Sequence, residues 1–363
     1  MAYLDHAAAT PVLTAVLDEV QRVAASLHAN PSGSHAPARA ARARLEDARD
    51  EIAGYLGVGP HEVVFTSGGT ESDNLALRGA PAGPRVVSAV EHKAVLTAAP
   101  GARVVPVDGD GVIDLDHLEH MLDAGVSIVS VMTGNNEVGS LQPVDAVVEA
   151  ARRLAPGALV HTDAVQSVGY VALPAADLVT LSAHKLGGPR GIGALVVRGS
   201  GAPLTPLMTG GGQEEGGRPG TEDVAGAAGF AVALRHAVKE RPADACRLHG
   251  LGERLATGVS RVARRNGPRD TSGRLPHICH VTIEGCRAED LLVLLDRAGV
   301  AASAGSACAS GAVEPSHVLR AMAMTPDEAR SSLRFSFGPD TTEDDIDAAV
   351  IAVLHAVRDL ACA

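Results

Sequence analysis

The sequence predicts an α/β protein: a mostly parallel, seven-stranded sheet in a large domain, followed by a smaller α+β domain. Three observations carry this. Seven short Val- and Ile-rich runs lack strict alternation, as strands buried on both faces do. Helical patterns separate several of them, the arrangement of βαβ units. After residue 198 the pattern changes, at a glycine-rich loop.

The runs are EVVF (62–65), RVVSAV (85–90), RVVPV (103–107), SIVSVM (127–132), ALVHT (158–162), DLVTLS (177–182) and IGALVVR (192–198). A connecting helix is predicted over 143–154. Beyond 198, TGGGQEEGGRPGT (209–221) leads into a helix over about 222–238, and a second long helix is expected over 244–266. HVTIEG (280–285), GVAAS (299–303) and SLRFSFG (332–338) read as strands, and a final helix follows residue 342. Chain termini of such folds often meet, so the first residues join the smaller domain. The expected division is 15–240 for the large cofactor-binding domain, and 1–14 with 241–363 for the small domain carrying a mobile cysteine loop.

Composition excludes several classes. A chain of 363 residues suits one large core and one smaller one. Aromatics are 2%, so packing relies on Ala, Val and Leu. The 43 acidic and 31 basic residues give a formal charge of −12, which argues against direct nucleic-acid binding. MAYLDHAAATP lacks the basic-then-apolar order of a signal peptide, and no apolar run approaches the ~20 residues of a membrane span. Five cysteines, odd in number and without a C-x-x-C pair, point to a reducing cytoplasm, free thiols and no metal. Cys246, Cys279, Cys286 and Cys362 read as structural or incidental.

Ligands of such sheets bind at the carboxyl ends of the strands. LSAHKLGGPRGIGAL (181–195) places Lys185 directly after one. It is either an exposed loop lysine or, with its pKa lowered, a partner for an aldehyde. The leading aldehyde is pyridoxal phosphate, which needs a phosphate cradle and an acid opposite its ring nitrogen. FTSGGTESDNLAL (65–77) reads as strand, glycine turn and helix; the helix start and Thr70 suit a phosphate. HTDAVQS (161–167) ends a strand with Asp163, a pyridinium partner or a helix cap. Gln166 would reach the ring oxygen.

In EHKAV (91–95), His92 stacks on a ring and moves protons, or merely caps a helix. TGNNEVG (133–139) gathers Asn135, Asn136 and Glu137 at a strand end, as substrate contacts or as a turn. In SSLRFSFG (331–338), alternation sets Arg334 opposite Leu333, Phe335 and Phe337. Such an arginine is either solvated or a bidentate carboxylate clamp. SAGSACASG (303–311) surrounds Cys308 with serine, alanine and glycine alone, as expected of a thin, mobile loop. A thiol there can visit both a cleft and the surface.

Together, YLDHAAATP, NPSGSH, SGGTESDNLA, EHKAV, NNEVG, HTDAVQ, SAHKLGGPRGIGAL, GGGQEEGGRPGTE, SAGSACASG, EPSHVLRA and SSLRFSFG resemble, in order, the motifs of NifS/IscS-type cysteine desulfurases. These are pyridoxal-phosphate enzymes (fold type I) similar to class V aminotransferases. The resemblance runs from residue 3 to about 360. It implies Lys185 as the Schiff-base lysine, Asp163 as the pyridinium partner, Gln166 as the ring-oxygen partner and His92 as the stacking acid/base. It implies Gly69, Thr70, Ser182 and His184 as phosphate ligands, and Asn136 and Arg334 as the substrate-carboxylate site. Thr221 would reach the phosphate of a second subunit, implying a homodimer. The implied reaction converts L-cysteine to L-alanine and leaves sulfur as a persulfide on Cys308 for an acceptor protein. The destination is iron–sulfur assembly, tRNA thiolation or a dedicated pathway.

Three departures qualify the resemblance. Glu215 stands where the family commonly has a basic residue, and GPRG replaces GPKG. The chain ends at residue 363, where many scaffold-docking relatives continue, so a dedicated acceptor is expected as well. Competing readings are a selenocysteine lyase, a cystine C–S lyase or aminotransferase-like enzyme of the same fold, and a non-catalytic sulfur-relay or scaffold protein.

Overall fold

The computed structural model describes residues 1–199, 204–304 and 315–361, without the side chains of residues 241 and 242. Cys308, its expected mobile loop, and Cys362 lie outside the described residues.

The strands are β1 (Ala2–Tyr3), β2 (Val63–Thr66), β3 (Arg85–Ser88), β4 (Arg103–Val105), β5 (Ile128–Ser130), β6 (Leu159–Asp163), β7 (Leu178–Ser182), β8 (Gly193–Val197), β9 (Arg264–Arg265), β10 (Ile278–Thr282), β11 (Val300–Ala301) and β12 (Ser332–Ser336). The seven Val/Ile-rich runs all enter one sheet, in the order β2-β8-β7-β6-β5-β3-β4. Strands β4, β3, β5, β6 and β7 pair in parallel, whereas β8 runs antiparallel to β7 and β2. The carboxyl ends of β5, β6 and β7 therefore share one edge, which carries Asp163 and Ser182. Covered on both faces by helices, these strands need no polar side, and that is why their sequences do not alternate.

The two most extensive apolar clusters divide between the sheet and the carboxyl-terminal region. One gathers the sheet with helices Ala36–Leu56 and Val144–Leu154, and includes Leu45, Ile52, Val129, Val160 and Phe230. The other joins β10 and β12 to helices Ala288–Arg297 and Glu343–Ala361 through Cys279, Leu291, Phe335 and Val353. Ala2 and Leu4 belong to the second cluster, because β1 pairs in parallel with β11.

The expected pair of helices after residue 222 is one continuous helix, Val224–Val259. A proline inside a helix costs about 3 kcal/mol, so Pro242 reads as a breaker. Here the two halves are anchored in different cores, Phe230 and Leu234 in the first and Leu248, Leu251 and Leu255 in the second. Burial of those side chains, about 1.5–3 kcal/mol each, outweighs the interruption. The helix also stops before residue 266, because Arg264 and Arg265 pair with Thr282 and Val281 as an edge strand.

Candidate active site

Lys185 closes the single turn Ala183–Lys185 that follows β7. Its Nζ donates to the carbonyl oxygens of Ala7 (2.6 Å) and Ala8 (2.8 Å), both in the amino-terminal segment that the sequence reading left without a role. Burial foremost, then the Arg334 charge, lowers its pKa to about 8, against the pull of Asp163 and Asp5. An amine so placed is partly neutral near physiological pH and can act as a nucleophile or base.

Asp163 ends β6 and is 6% exposed. Its Oδ1 accepts from the Val165 N–H at 2.8 Å in a turn, and no helix follows for the carboxylate to cap. It forms no ion pair among the described residues. Burial raises its pKa, while the Val165 hydrogen bond, His92 and Lys185 oppose the rise. Gln166 donates through its amide nitrogen to the Ala7 oxygen at 2.9 Å. His92 does cap helix Lys93–Ala98, its Nδ1 accepting from the Ala94 N–H at 3.2 Å. It also lines the cleft, and burial lowers its pKa despite Asp163.

Helix Gly69–Gly79 opens on the same cleft, presenting first-turn N–H groups that no helical carbonyl can satisfy. Gly193 makes this start possible. A Cβ there would lie 2.6 Å from the Gly68 Cα. The Ser182 hydroxyl meets His184 Nδ1 at 2.8 Å. Burial, with Lys185 and Arg190 nearby, brings the His184 pKa to about 4, leaving a neutral ring.

Arg334 is 3% exposed and lies in β12. Its two terminal nitrogens donate to the Asn136 carbonyl and the Asp5 carboxylate, each at 2.8 Å. Asn135 instead holds the turn, its Oδ1 accepting from Glu137 N and Val138 N.

These groups meet in one cleft of about 470 Å³. Gly69, Thr70, Ser182 and His184 line it, as do His92, Asp163, Gln166 and Lys185, and Asn136 with Arg334. Thr221 is exposed and does not line it. The sequence reading gave no role to Asp5, Asp73, Lys93 or His317, which also line the wall. Asp5 lies within YLDHAAATP and Lys93 within EHKAV, so their motifs were visible while their direction was not.

The class-V aminotransferase family model matches residues 2–349. The chain belongs to that family, in its IscS/NifS-type cysteine desulfurase group. An IscS-like cysteine desulfurase of Mycobacterium tuberculosis is 41% identical, over 98% of this chain and 96% of the relative. A cysteine desulfurase of Gluconacetobacter diazotrophicus is 40% identical, over 95% and 90%. Among solved structures, a NifS-like protein superposes with a TM-score of 0.90 at 33% identity, covering 99% of both chains. SspA, solved in complex with cysteine, superposes with a TM-score of 0.80 at 31% identity, over 94% of this chain and 100% of SspA.

The family depends on pyridoxal phosphate. The cleft fits a group with a basic ring nitrogen, an aldehyde and a phosphate. Asp163 is a buried carboxylate in want of a cation. Gly69 and Thr70 begin a helix, the favoured end for an anion. Lys185, with its lowered pKa, lines the same cavity.

Proposed function

We propose that this class-V aminotransferase relative is a cysteine desulfurase that binds pyridoxal 5'-phosphate, converts L-cysteine to L-alanine and passes the sulfur to Cys308. The observation that carries the reading is the meeting of Lys185, Asp163 and Arg334 in one cleft. Asp163 holds the pyridine nitrogen, Gln166 the ring oxygen, and Gly69, Thr70, Ser182 and His184 the phosphate. When bound, the cofactor supplies the imine-forming aldehyde and an electron sink for charge developing at the substrate α-carbon.

The chain's own groups divide the remaining work. Arg334 and Asn136 orient the cysteine carboxylate. Lys185 takes up the α-proton on Nζ. His92 commits Nδ1 to Ala94, so its neutral ring carries the proton on Nε2 and serves as a donor. The Cys308 thiolate attacks the substrate sulfur. An S–S bond forms, the Cβ–S bond breaks with its electron pair left on carbon, and protons returned to carbon complete alanine. The persulfide then passes to an acceptor protein.

The exposed position of Thr221 away from its own cleft supports a homodimer in which it reaches the partner's site. The two apolar clusters support a working division into 15–240 and 1–14 with 241–363. Cys246, Cys279 and Cys286 are free thiols, which supports a reducing cytoplasm. Among the described residues no helix is long and apolar enough to cross a membrane.

Alanine formation from L-cysteine, with labelled sulfur retained on the protein, tests the function. Cys308→Ala keeps the cofactor's absorbance and loses the label. Sulfur transfer undiminished in that variant overturns the assignment of Cys308.

A further inference from the structure

Behind the cleft wall, four groups form a chain whose hydrogen-bond polarity has one solution. The Ala7 carbonyl oxygen can only accept. It takes donations from Lys185 Nζ at 2.6 Å and from the Gln166 amide nitrogen at 2.9 Å. The Gln166 side chain is thereby oriented, with its oxygen turned away from Ala7. That oxygen lies 3.3 Å from His277 Nε2. An amide oxygen accepts only, so the His277 proton sits on Nε2.

Two further observations agree. His277 Nδ1 is buried and unbonded among the described residues. A bare lone pair there costs less than an unpaired N–H. His277 is 4% exposed, and its ring stacks on Tyr170 with centroids 4.4 Å apart and 16° between the planes. Burial first, then His6, Arg334, Lys185 and His249, brings its pKa to about 3, so the ring stays neutral.

Gln166 spends one amide N–H on Ala7 and itself lines the cleft. We propose that His277, braced by Tyr170, is a positioning residue that locks the Gln166 amide with its second N–H directed to the cleft as a donor to an oxygen bound there. The inference rests on the cofactor reading above, in which that oxygen belongs to the pyridine ring. Without the lock the amide is held by the Ala7 carbonyl alone, and the direction of its second N–H is less tightly fixed.

The test uses apoprotein titrated with pyridoxal 5'-phosphate. His277→Phe keeps a flat ring against Tyr170 and removes the donor. It weakens cofactor binding about tenfold and shifts the pH transition of the bound cofactor's visible absorption. His277→Gln, which places an amide N–H near the Nε2 position, restores both. In a Gln166→Leu background, His277→Phe adds no further loss. Unchanged binding and absorption in His277→Phe overturn the proposal, as does a stable His277→Gln without rescue. Where His277→Phe does not fold, the ring-nitrogen NMR signals of wild-type apoprotein decide: an Nε2–H tautomer supports the lock and an Nδ1–H tautomer refutes it. Failure of wild type to bind pyridoxal phosphate removes the cofactor reading, while the tautomer still decides whether His277 sets Gln166.

Discussion

Arg334 is held by Asp5 before any substrate arrives, its Nη2 donating to Asp5 Oδ1 at 2.8 Å. The opposite nitrogen is fixed by the Asn136 carbonyl, and the strand itself is tied to Ser303 by backbone hydrogen bonds in both directions. The guanidinium therefore meets a carboxylate already ordered, which removes part of the entropic cost of binding.

Arg334→Lys replaces that planar fork with a point charge. The expected result is a KM for L-cysteine raised about tenfold or more, with cofactor absorbance unchanged. Steady-state alanine formation checks this. A KM equal to that of wild type takes Arg334 out of the substrate site.

Lys185 makes apoprotein stability depend on pH. Its folded pKa of about 8 lies below the unfolded value of 10.5. Below pH 8 the amine is charged in both states, and the folded state bears the cost of burying it. Between pH 8 and 10.5 the unfolded state binds more protons, so unfolding free energy rises with pH. Lys185→Met has no such titration. Urea unfolding at several pH values is expected to show wild type gaining on the variant across this window, and parallel curves would rule out a buried, depressed amine.

Asp163 works in the opposite sense. Burial raises its pKa, so the folded state favours the protonated form. Above that raised value the ionised carboxylate lowers apoprotein stability. As pH falls through it toward the usual aspartate range the cost disappears. Asp163→Asn apoprotein is therefore expected to melt above wild type at neutral pH, with the advantage shrinking in acid, while binding pyridoxal phosphate more weakly. Calorimetry with and without cofactor reads both. A variant that melts lower at neutral pH contradicts the burial cost.

The sheet was legible because its strands carry their burial in their composition: Val86, Val129, Val160 and Val179 are all fully enclosed. The strand ends were legible because polar residues after apolar runs had few other reasons to be there. Helix Val224–Val259 was misread because local propensity at Pro242 says nothing about two cores reached from one helix. His277 and Tyr170 were invisible for a related reason. Their stack joins residues 107 positions apart, and neither sits in a patterned motif. Asp5 was quoted in a motif yet given no role, since its partner Arg334 lies at the other end of the chain.

Gly193 gives the sharpest steric prediction. A methyl group there would stand 2.5 Å from the Leu181 carbonyl oxygen and 2.6 Å from the Gly68 Cα. Both are backbone atoms, so no side-chain rotation relieves the clash. Either β8 separates from β7 or the start of helix Gly69–Gly79 moves. Overpacking of this kind costs roughly 1–3 kcal/mol. The second route displaces Gly69 and Thr70, the groups assigned to the phosphate. Gly193→Ala is therefore expected to lower the melting temperature by a few degrees. It should also weaken apoprotein binding of pyridoxal phosphate more than that of phosphate-free pyridoxal. Equal losses for the two ligands would place the phosphate elsewhere in the cleft.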